Sequence, residues 1–328
     1  MKPTSLIKLL LFILLAALNF ACIEDASRDN PLDPVNENSD LNISGQVLTF
    51  YHPRKAISEA SIFVQPGNFI VLSDEEGYFR FNNLKPGDYT LICQAEGYQM
   101  DSLTISMQAN IEHTFLLDGL PQFEKISMKA HHRARWFPVE EIYFIELETI
   151  VSDPDGIGDI RSVICRIPSM DYSDTLQAGI ESGKFSSTLF DSDLPVSSVH
   201  QLIGRQIYFS VEDDFGTINT SEAKFLTRII EETPQLVSPV ELQSFESLPI
   251  NFQWERISVP YAATLSIEIF QINLGIAFKA DEINNIEITN TNYSYSKNLN
   301  IGDYFWTISI VDEFGNSSSS REGTFKIK

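Results

Sequence analysis

The sequence is poor in cysteine and in positive charge, and each shortage excludes a class of protein. Three cysteines among 328 residues are too few for the disulfide framework that holds small secreted domains together. Cys93 and Cys165 fall in apolar alternating runs and are predicted to be core residues without a mutual bridge. Lys and Arg number 23 against 45 Asp and Glu, which gives a net charge of −22. Because a nucleic acid partner requires a basic surface, the composition predicts no nucleic acid binding.

Long apolar runs are also scarce. The clearest one, Leu9–Phe20, follows a basic start and is shorter than the about 20 residues that a membrane-spanning helix needs. A basic start followed by a short apolar stretch is typical of a signal peptide. The run ends at Ala21-Cys22, which resembles the processing site of bacterial lipoproteins, where the signal is cut before a cysteine that carries the lipid. The resemblance implies a lipoprotein signal peptide over residues 1–21 and lipidation of Cys22; an uncleaved anchor and plain secretion are the alternatives.

Residues 22–40 are rich in Asp, Asn, Glu, Pro and Ser, and this composition predicts a disordered acidic tether. Within it, Asp29–Pro34 resembles a stretch found just behind the cysteine in many envelope lipoproteins of Bacteroidota. The resemblance implies a cell-envelope protein that is lipid-anchored to the outer membrane, on its periplasmic or surface side. Because the remainder of the chain is anionic, the lipid and not charge attraction would hold it at an anionic leaflet.

Helical periodicity is missing beyond the N-terminal apolar run. Short β-branched and aromatic runs alternate instead with turns rich in Gly, Pro, Asn and Asp. This pattern predicts an all-β fold built from β-sandwiches. We expect three of them in tandem after the signal peptide and tether, at residues 41–120, 121–230 and 231–328.

The first module carries an ordered set of turn and strand motifs: Ser44–Val47, Ala60–Val64, Gly77–Phe81, Leu84–Tyr89 and Gly97-Tyr98. In this order they resemble the carboxypeptidase regulatory-like domain, a small transthyretin-like β-sandwich. In that family the module is a non-catalytic companion of other domains. The resemblance therefore implies a fold for residues 41–120 and no activity of its own.

The second and third modules share a repeated motif. Val211–Gly216 recurs as Val311–Gly315, and each copy ends a predicted strand in an acidic turn closed by glycine. This repeat predicts two related sandwiches, the first Ig-like. In the last module, Leu299–Trp306 followed by Asp312 and Gly315-Asn316 resembles the penultimate strand of fibronectin type III domains. The resemblance implies that Trp254 is its core tryptophan and that Tyr304 is a corner tyrosine whose hydroxyl bonds back to the preceding loop.

One acidic segment offers candidate metal ligands. Asp153, Asp155 and Asp159 follow one another closely, with glycines that bend the chain, and such carboxylates can surround a hard cation such as calcium. Asp213 and Asp214 would add ligands from a neighbouring corner. The bidentate Glu that completes an EF-hand loop is missing, and Asp-Pro-Asp-Gly is equally a turn sequence. We favour the turn, retain calcium as the alternative, and predict no other cofactor.

Motifs for catalysis are not found. There is no phosphate-binding glycine loop, nucleophile elbow or His-Glu-x-x-His string. His131 and His132 are adjacent on a predicted strand, so their side chains point to opposite faces and cannot bind one ion together. We therefore predict no catalytic residues and a non-enzymatic function in adhesion, ligand binding or scaffolding, with an unidentified protein or glycan ligand. The alternative is an accessory subunit of a peptidase or glycan-degrading surface system.

Labelling of growing cells with a radioactive fatty acid tests lipidation at Cys22. We expect the wild type to incorporate the label and Cys22→Ala to incorporate none, because that cysteine would bear the acyl chains. The matched control is Cys93→Ala, which removes a cysteine predicted to lie in a core and should leave labelling intact. Equal labelling of the wild type and Cys22→Ala would contradict the prediction.

Overall fold

The computed structural model describes residues 41–136, 139–196 and 198–328. The described residues divide into two compact units, one that ends at Gly119 and one that begins at Leu120. The predicted signal peptide, the tether and Cys22 lie outside the described residues. Strands dominate both units, with four short 3-10 helical segments at Ile157–Asp159, Pro168–Met170, Asp191–Asp193 and Val199–Leu202, which confirms the predicted all-β class. Across the described ranges, none of these helices has the length and apolarity to cross a membrane.

The first unit is a sandwich of two small sheets. Its strands are β1 (Leu41–Thr49), β2 (Ser61–Gln65), β3 (Phe69–Leu72), β4 (Tyr78–Leu84), β5 (Gly87–Gln94), β6 (Asp101–Met107) and β7 (Ile111–Leu117). One sheet has the order β4-β1-β7 and the other the order β3-β2-β5-β6. β1 runs parallel to β7 and antiparallel to β4. The two sheets enclose one hydrophobic core.

Alternation along the strands explains this core. Successive side chains of a strand point to opposite faces, and in β1 every second residue is buried, among them Ile43 and Val47. Phe79 and Phe81 do the same in β4 and pack edge to face. Cys93, from the facing sheet, lies in the same core as a free thiol, and burial raises its pKa to about 12. This burial matches the structural role predicted for that cysteine.

The second unit holds the other strands: β8 (Gln122–Arg135), β9 (Glu140–Ser152), β10 (Ile160–Ile167), β11 (Tyr172–Ala178), β12 (Lys184–Phe190), β13 (Tyr208–Asp213), β14 (Ile218–Thr220), β15 (Leu236–Ser238), β16 (Gln243–Phe245), β17 (Ile250–Trp254), β18 (Ala263–Asn273), β19 (Ile276–Glu287), β20 (Asn292–Tyr295), β21 (Gly302–Asp312), β22 (Ser317–Ser319) and β23 (Gly323–Ile327). Strands β8 to β14 surround one hydrophobic core and strands β15 to β23 another. This compact unit therefore contains two hydrophobic cores.

One 13-stranded sheet runs through both sandwiches of this unit, in the order β14-β13-β10-β11-β12-β9-β8-β22-β21-β18-β19, with β23 also paired to β21 and β16 paired to β23. Where the sandwiches meet, β22 pairs in parallel with β8, and Ser317 lies opposite His131. The smaller sheet β15-β17-β20 covers the core of the last sandwich. Cys165 is a free thiol buried in the other core of this unit.

Aromatic side chains build the core of the last sandwich in the way its resemblance to fibronectin type III implies. Trp254 on β17 is buried and donates from Nε1 to the carbonyl of Asn290 at 2.8 Å. Tyr304 on β21 is also buried, and its hydroxyl donates to the carbonyl of Asn300 at 2.8 Å. These contacts satisfy the polar atoms of large buried rings, and the second of them is the predicted tyrosine corner.

The close approach of β1 and β7 yields a stability prediction. A Cβ atom added at Gly45 would lie 1.7 Å from the carbonyl oxygen of His113, whereas one at Gly87 would meet nothing closer than 3.9 Å. We expect Gly45→Ala to destabilise the first unit by about 3 kcal/mol, the upper end of overpacking costs, because backbone atoms have to move. Gly87→Ala is the matched control.

Hydrogen exchange with mass spectrometry on the β1 and β7 segments measures this effect. Tryptophan fluorescence does not report on it, since Trp136, Trp254 and Trp306 all lie in the second unit. Equal protection of β1 in both variants would contradict the prediction.

Candidate binding cleft and carboxylate cluster

Three aspartates of the second unit meet at one end of its first sandwich. Asp153 directly follows β9, Asp159 precedes β10, and Asp213 ends β13. β10 and β13 are paired, with Ile160 opposite Asp213, and this pairing brings the three segments together. One carboxylate oxygen from each of these aspartates lies within 4.8 Å of the other two. This group is called the carboxylate cluster below.

The local turns occupy one oxygen of each of two cluster members. Asp153 Oδ1 accepts from the backbone N–H of Asp155 at 2.8 Å. Asp213 Oδ1 accepts from the N–H groups of Gly216 and Thr217, both at 2.7 Å. Among the described residues, the Oδ2 atoms of Asp153 and Asp213 are buried and have no hydrogen-bond partner. Asp213 is 0% exposed, so bulk solvent does not reach its second oxygen.

The side chains of the cluster are all acidic, so their charges raise one another's cost of ionisation. The pKa of Asp153 is raised to about 6, chiefly by burial and also by the negative charges of Asp159, Asp155 and Asp213, while the N–H of Asp155 opposes the rise. Asp159 is itself only 8% exposed. Ionised carboxylates this close repel one another and lose hydration, so the cluster stores unfavourable charge that a cation would relieve.

The predicted ligands are therefore only partly together. Asp153 and Asp159 belong to the cluster. Asp155 donates its backbone N–H to Asp153, and its carboxylate is outside this group although one of its oxygens lies within 4.8 Å of an oxygen of Asp159. Asp213 completes the group from the neighbouring corner, as the sequence suggested. The backbone N–H of Asp214 donates to the carbonyl of Asp159, and its carboxylate is likewise outside the group.

The two adjacent histidines lie where the sandwiches of the second unit join. His131 contacts Ser317 Oγ at 2.8 Å and Glu146 at 3.3 Å, and its ring stacks on Phe144. His132 instead contacts Ser318 Oγ at 3.1 Å and stacks on Tyr143. Their side chains point to opposite faces, as predicted, and each contacts a serine of β22 at the junction of the two sandwiches.

A cleft of about 600 Å³ opens at the same junction. Trp136, at the end of β8, is 45% exposed on its wall, and the Arg321 guanidinium packs 4.5 Å from the ring centroid. Glu322 accepts from the Trp136 N–H at 3.0 Å, and Glu141 accepts from Arg321 at 3.2 Å. The remaining wall includes Thr233, Pro234, Gln235, Leu236, Val240, Glu241 and Thr324. Sequence reasoning did not single out Trp136, because its partners lie nearly two hundred residues away.

The fold and these sites define an all-β protein of three sandwiches, with a polar aromatic cleft and a carboxylate cluster. Residues 43–120 match the family model described as CarboxypepD_reg-like domain. This match confirms the family predicted for the first module. It covers less than half of the chain, so it identifies that domain alone. Among curated proteins, none matches this sequence.

Solved structures with detectable likeness are distant. The chain covers 58% of a chain from a type II cohesin–X-dockerin complex of Acetivibrio cellulolyticus, with 16% identity over 24% of its own length and a TM-score of 0.23. It covers 97% of a DUF3823 family protein from Bacteroides ovatus, with 13% identity over 56% of its own length and a TM-score of 0.25. It covers 99% of a putative carbohydrate binding protein from Bacteroides uniformis, with 9% identity over 57% of its own length and a TM-score of 0.23. Likenesses this weak carry no information about function.

The burial of His131 predicts a pH dependence. Desolvation lowers the pKa of His131. The carboxylate of Glu146 opposes this shift, and the positive charges of Arg133 and Lys129 add to it. A histidine whose folded pKa is lowered binds fewer protons in the native state, so the second unit should lose stability as pH falls below about 6.5. We expect His131→Gln, which cannot titrate, to show a smaller loss.

Urea unfolding followed by tryptophan fluorescence at about pH 7.5 and about pH 5.5 measures this difference. Comparing His131→Gln with the wild type cancels the contributions of the other titrating groups to the pH dependence. One of these is Asp153, whose raised pKa favours the folded state as the pH falls. The matched control is His200→Gln, at a histidine outside the strand junction. An identical loss in the wild type and His131→Gln would refute the prediction.

Proposed function

We propose that the protein is a non-catalytic, lipid-anchored envelope protein that binds a neutral glycan in the Trp136 cleft. The observation that carries this proposal is the 45% exposure of Trp136 in a cleft of about 600 Å³. That volume lies within the range of small-ligand sites, which occur preferentially where domains meet.

The lining of the cleft suits a sugar. Tryptophan presents a broad apolar face, on which the C–H face of a pyranose ring stacks, while sugar hydroxyls hydrogen-bond to charged and amide side chains. Arg321, Glu141 and Glu322 are already held by bonds within the protein, so little side-chain entropy is lost when a ligand binds.

Charge favours a neutral ligand over an acidic one. Three glutamates line the cleft, Glu141, Glu241 and Glu322, against one arginine, Arg321. The whole chain carries a net charge of −22, so an anionic polysaccharide would be repelled.

The bonds of the acidic residues favour binding over catalysis. A glycosidase needs two carboxyl groups facing the scissile bond, one of them free to donate a proton. Here Glu141 contacts both Arg321 and His132, and Glu322 contacts the Trp136 backbone N–H. Residues 43–120 form a domain whose relatives are non-catalytic companions of other domains. The expected lipid on Cys22 would hold the protein at the cell envelope.

Affinity electrophoresis of the full chain in mild detergent tests the proposal. The gels contain soluble neutral polysaccharides: a β-glucan, an α-glucan, a mannan and a galactan. We expect one of them to retard the wild type and Trp136→Ala to bind about thirtyfold more weakly, since a central aromatic contributes ~2 kcal/mol.

The matched control is Tyr78→Ala, which removes an exposed ring from the first unit and should leave the retardation unchanged. Thermal unfolding of both variants verifies that they are folded. Equal retardation of Trp136→Ala and wild type would overturn the proposal. So would binding of a basic peptide in place of every neutral polysaccharide.

A further inference from the structure

The repeated acidic turn occurs twice in the second unit with the same backbone. In the last sandwich, Asp312 Oδ1 accepts from the N–H groups of Phe314 and Asn316, both at 2.9 Å. In the preceding sandwich, Asp213 Oδ1 accepts from two backbone N–H groups in the same way. Gly216 and Gly315 close the two turns with φ of 95° and 85°, which side chains other than glycine adopt at a cost. Each aspartate therefore uses one oxygen for its turn and has a second one to satisfy.

The two copies differ in what meets that second oxygen. Asp312 Oδ2 accepts from Asn316 Nδ2 at 2.9 Å and lies 3.4 Å from the Nε of Arg228. Asp213 Oδ2 has no such partner among the described residues, although the side chain is fully buried. Its neighbours are Asp153 and Asp159, which add negative charge. Arg228 thus neutralises the turn of Asp312, whereas the turn of Asp213 has no positive side chain at its second oxygen among the described residues.

We propose that the carboxylate cluster of Asp153, Asp159 and Asp213 is a calcium site. The proposal stands independently of the glycan cleft. It rests on the buried Oδ2 of Asp213, which has no hydrogen-bond partner among the described residues, and on the convergence of three carboxylates at this place.

The geometry suits calcium. Calcium binds oxygen ligands at about 2.4 Å, so two oxygens on opposite sides of one ion are about 4.8 Å apart. The cluster oxygens all lie within 4.8 Å of one another. Three carboxylates supply at least three of the six to eight ligands, and water supplies others, as is common for calcium. Magnesium binds at about 2.0–2.1 Å, requires a near-ideal octahedron and gives up its water reluctantly, so we expect the site to prefer calcium.

An ion at this place would act as a structural clamp. Asp153 directly follows β9, Asp159 directly precedes β10 and Asp213 ends β13. Binding would join these three segments and remove the repulsion between their carboxylates. Because the unfolded chain does not assemble the site, calcium would stabilise the folded state in proportion to its occupancy.

Isothermal titration of the full chain with calcium chloride alone, and separately with magnesium chloride alone, tests the site. We expect one calcium ion per chain in the wild type, with a Kd at or below the millimolar range of extracellular calcium modules. At a hundredfold excess over Kd, the melting temperature of the second unit should rise by roughly 5–10 °C.

Two variants remove the site. Asp213→Asn retains an oxygen for the turn and removes the charge, and Asp153→Ala removes a ligand at a less buried position. We expect each to weaken calcium binding at least about tenfold and to abolish the rise in melting temperature. Asp214→Asn, an exposed neighbour outside the cluster, is the matched control and should bind as the wild type does.

The possible outcomes separate cleanly. No saturable calcium binding by the wild type up to about 10 mM, tenfold above the weakest extracellular sites, would overturn the proposal. Unchanged calcium binding in both single variants, Asp153→Ala and Asp213→Asn, would also overturn it. So would binding of magnesium with the same affinity as calcium. If Asp213→Asn does not fold, Asp153→Ala decides the question.

Discussion

The parallel pairing of β22 with β8 is the contact on which the second unit depends. It carries the main sheet from one sandwich to the next and is reinforced by side chains on both strands. Asn316 Oδ1 accepts from the Ala130 N–H at 2.8 Å, and the serines of β22 contact His131 and His132. Because an edge strand exposes unpaired backbone groups, this pairing also protects an edge of each sandwich.

The Trp136 cleft is a consequence of that junction. β8 continues past its pairing with β22 and delivers Trp136 to the place where Glu322 and Arg321 follow in the chain. The aromatic ring is thereby held by contacts between two sandwiches.

Away from the cleft, the two acidic turns differ in the groups that surround their buried aspartates. Asp312 lies beside the guanidinium of Arg228, whereas Asp213 lies beside two more carboxylates. The proposed calcium ion would therefore neutralise charge at the Asp213 turn.

Much of the fold is predictable because local patterns carry it. Alternation and turn residues indicate strands, and the order of motifs in residues 41–120 indicates the first domain. The burial of Trp254 and the corner hydrogen bond of Tyr304 follow from motifs that lie close together in sequence. The cluster is half predictable for the same reason. Asp153 and Asp159 share one loop, whereas the replacement of Asp155 by Asp213 depends on how β10 pairs with β13.

The sequence by itself determined the all-β class, the first domain, the separate hydrophobic cores and the acidic character of the surface. Those properties follow from composition and from periodicities of a few residues. Only the tertiary structure decided that two cores belong to one compact unit, that Trp136 lines a cleft, and that a buried oxygen of Asp213 has no hydrogen-bond partner in the described part of the chain. Each of these depends on pairing between strands far apart in the chain, and the register of such pairing is set by the packing of the whole sheet.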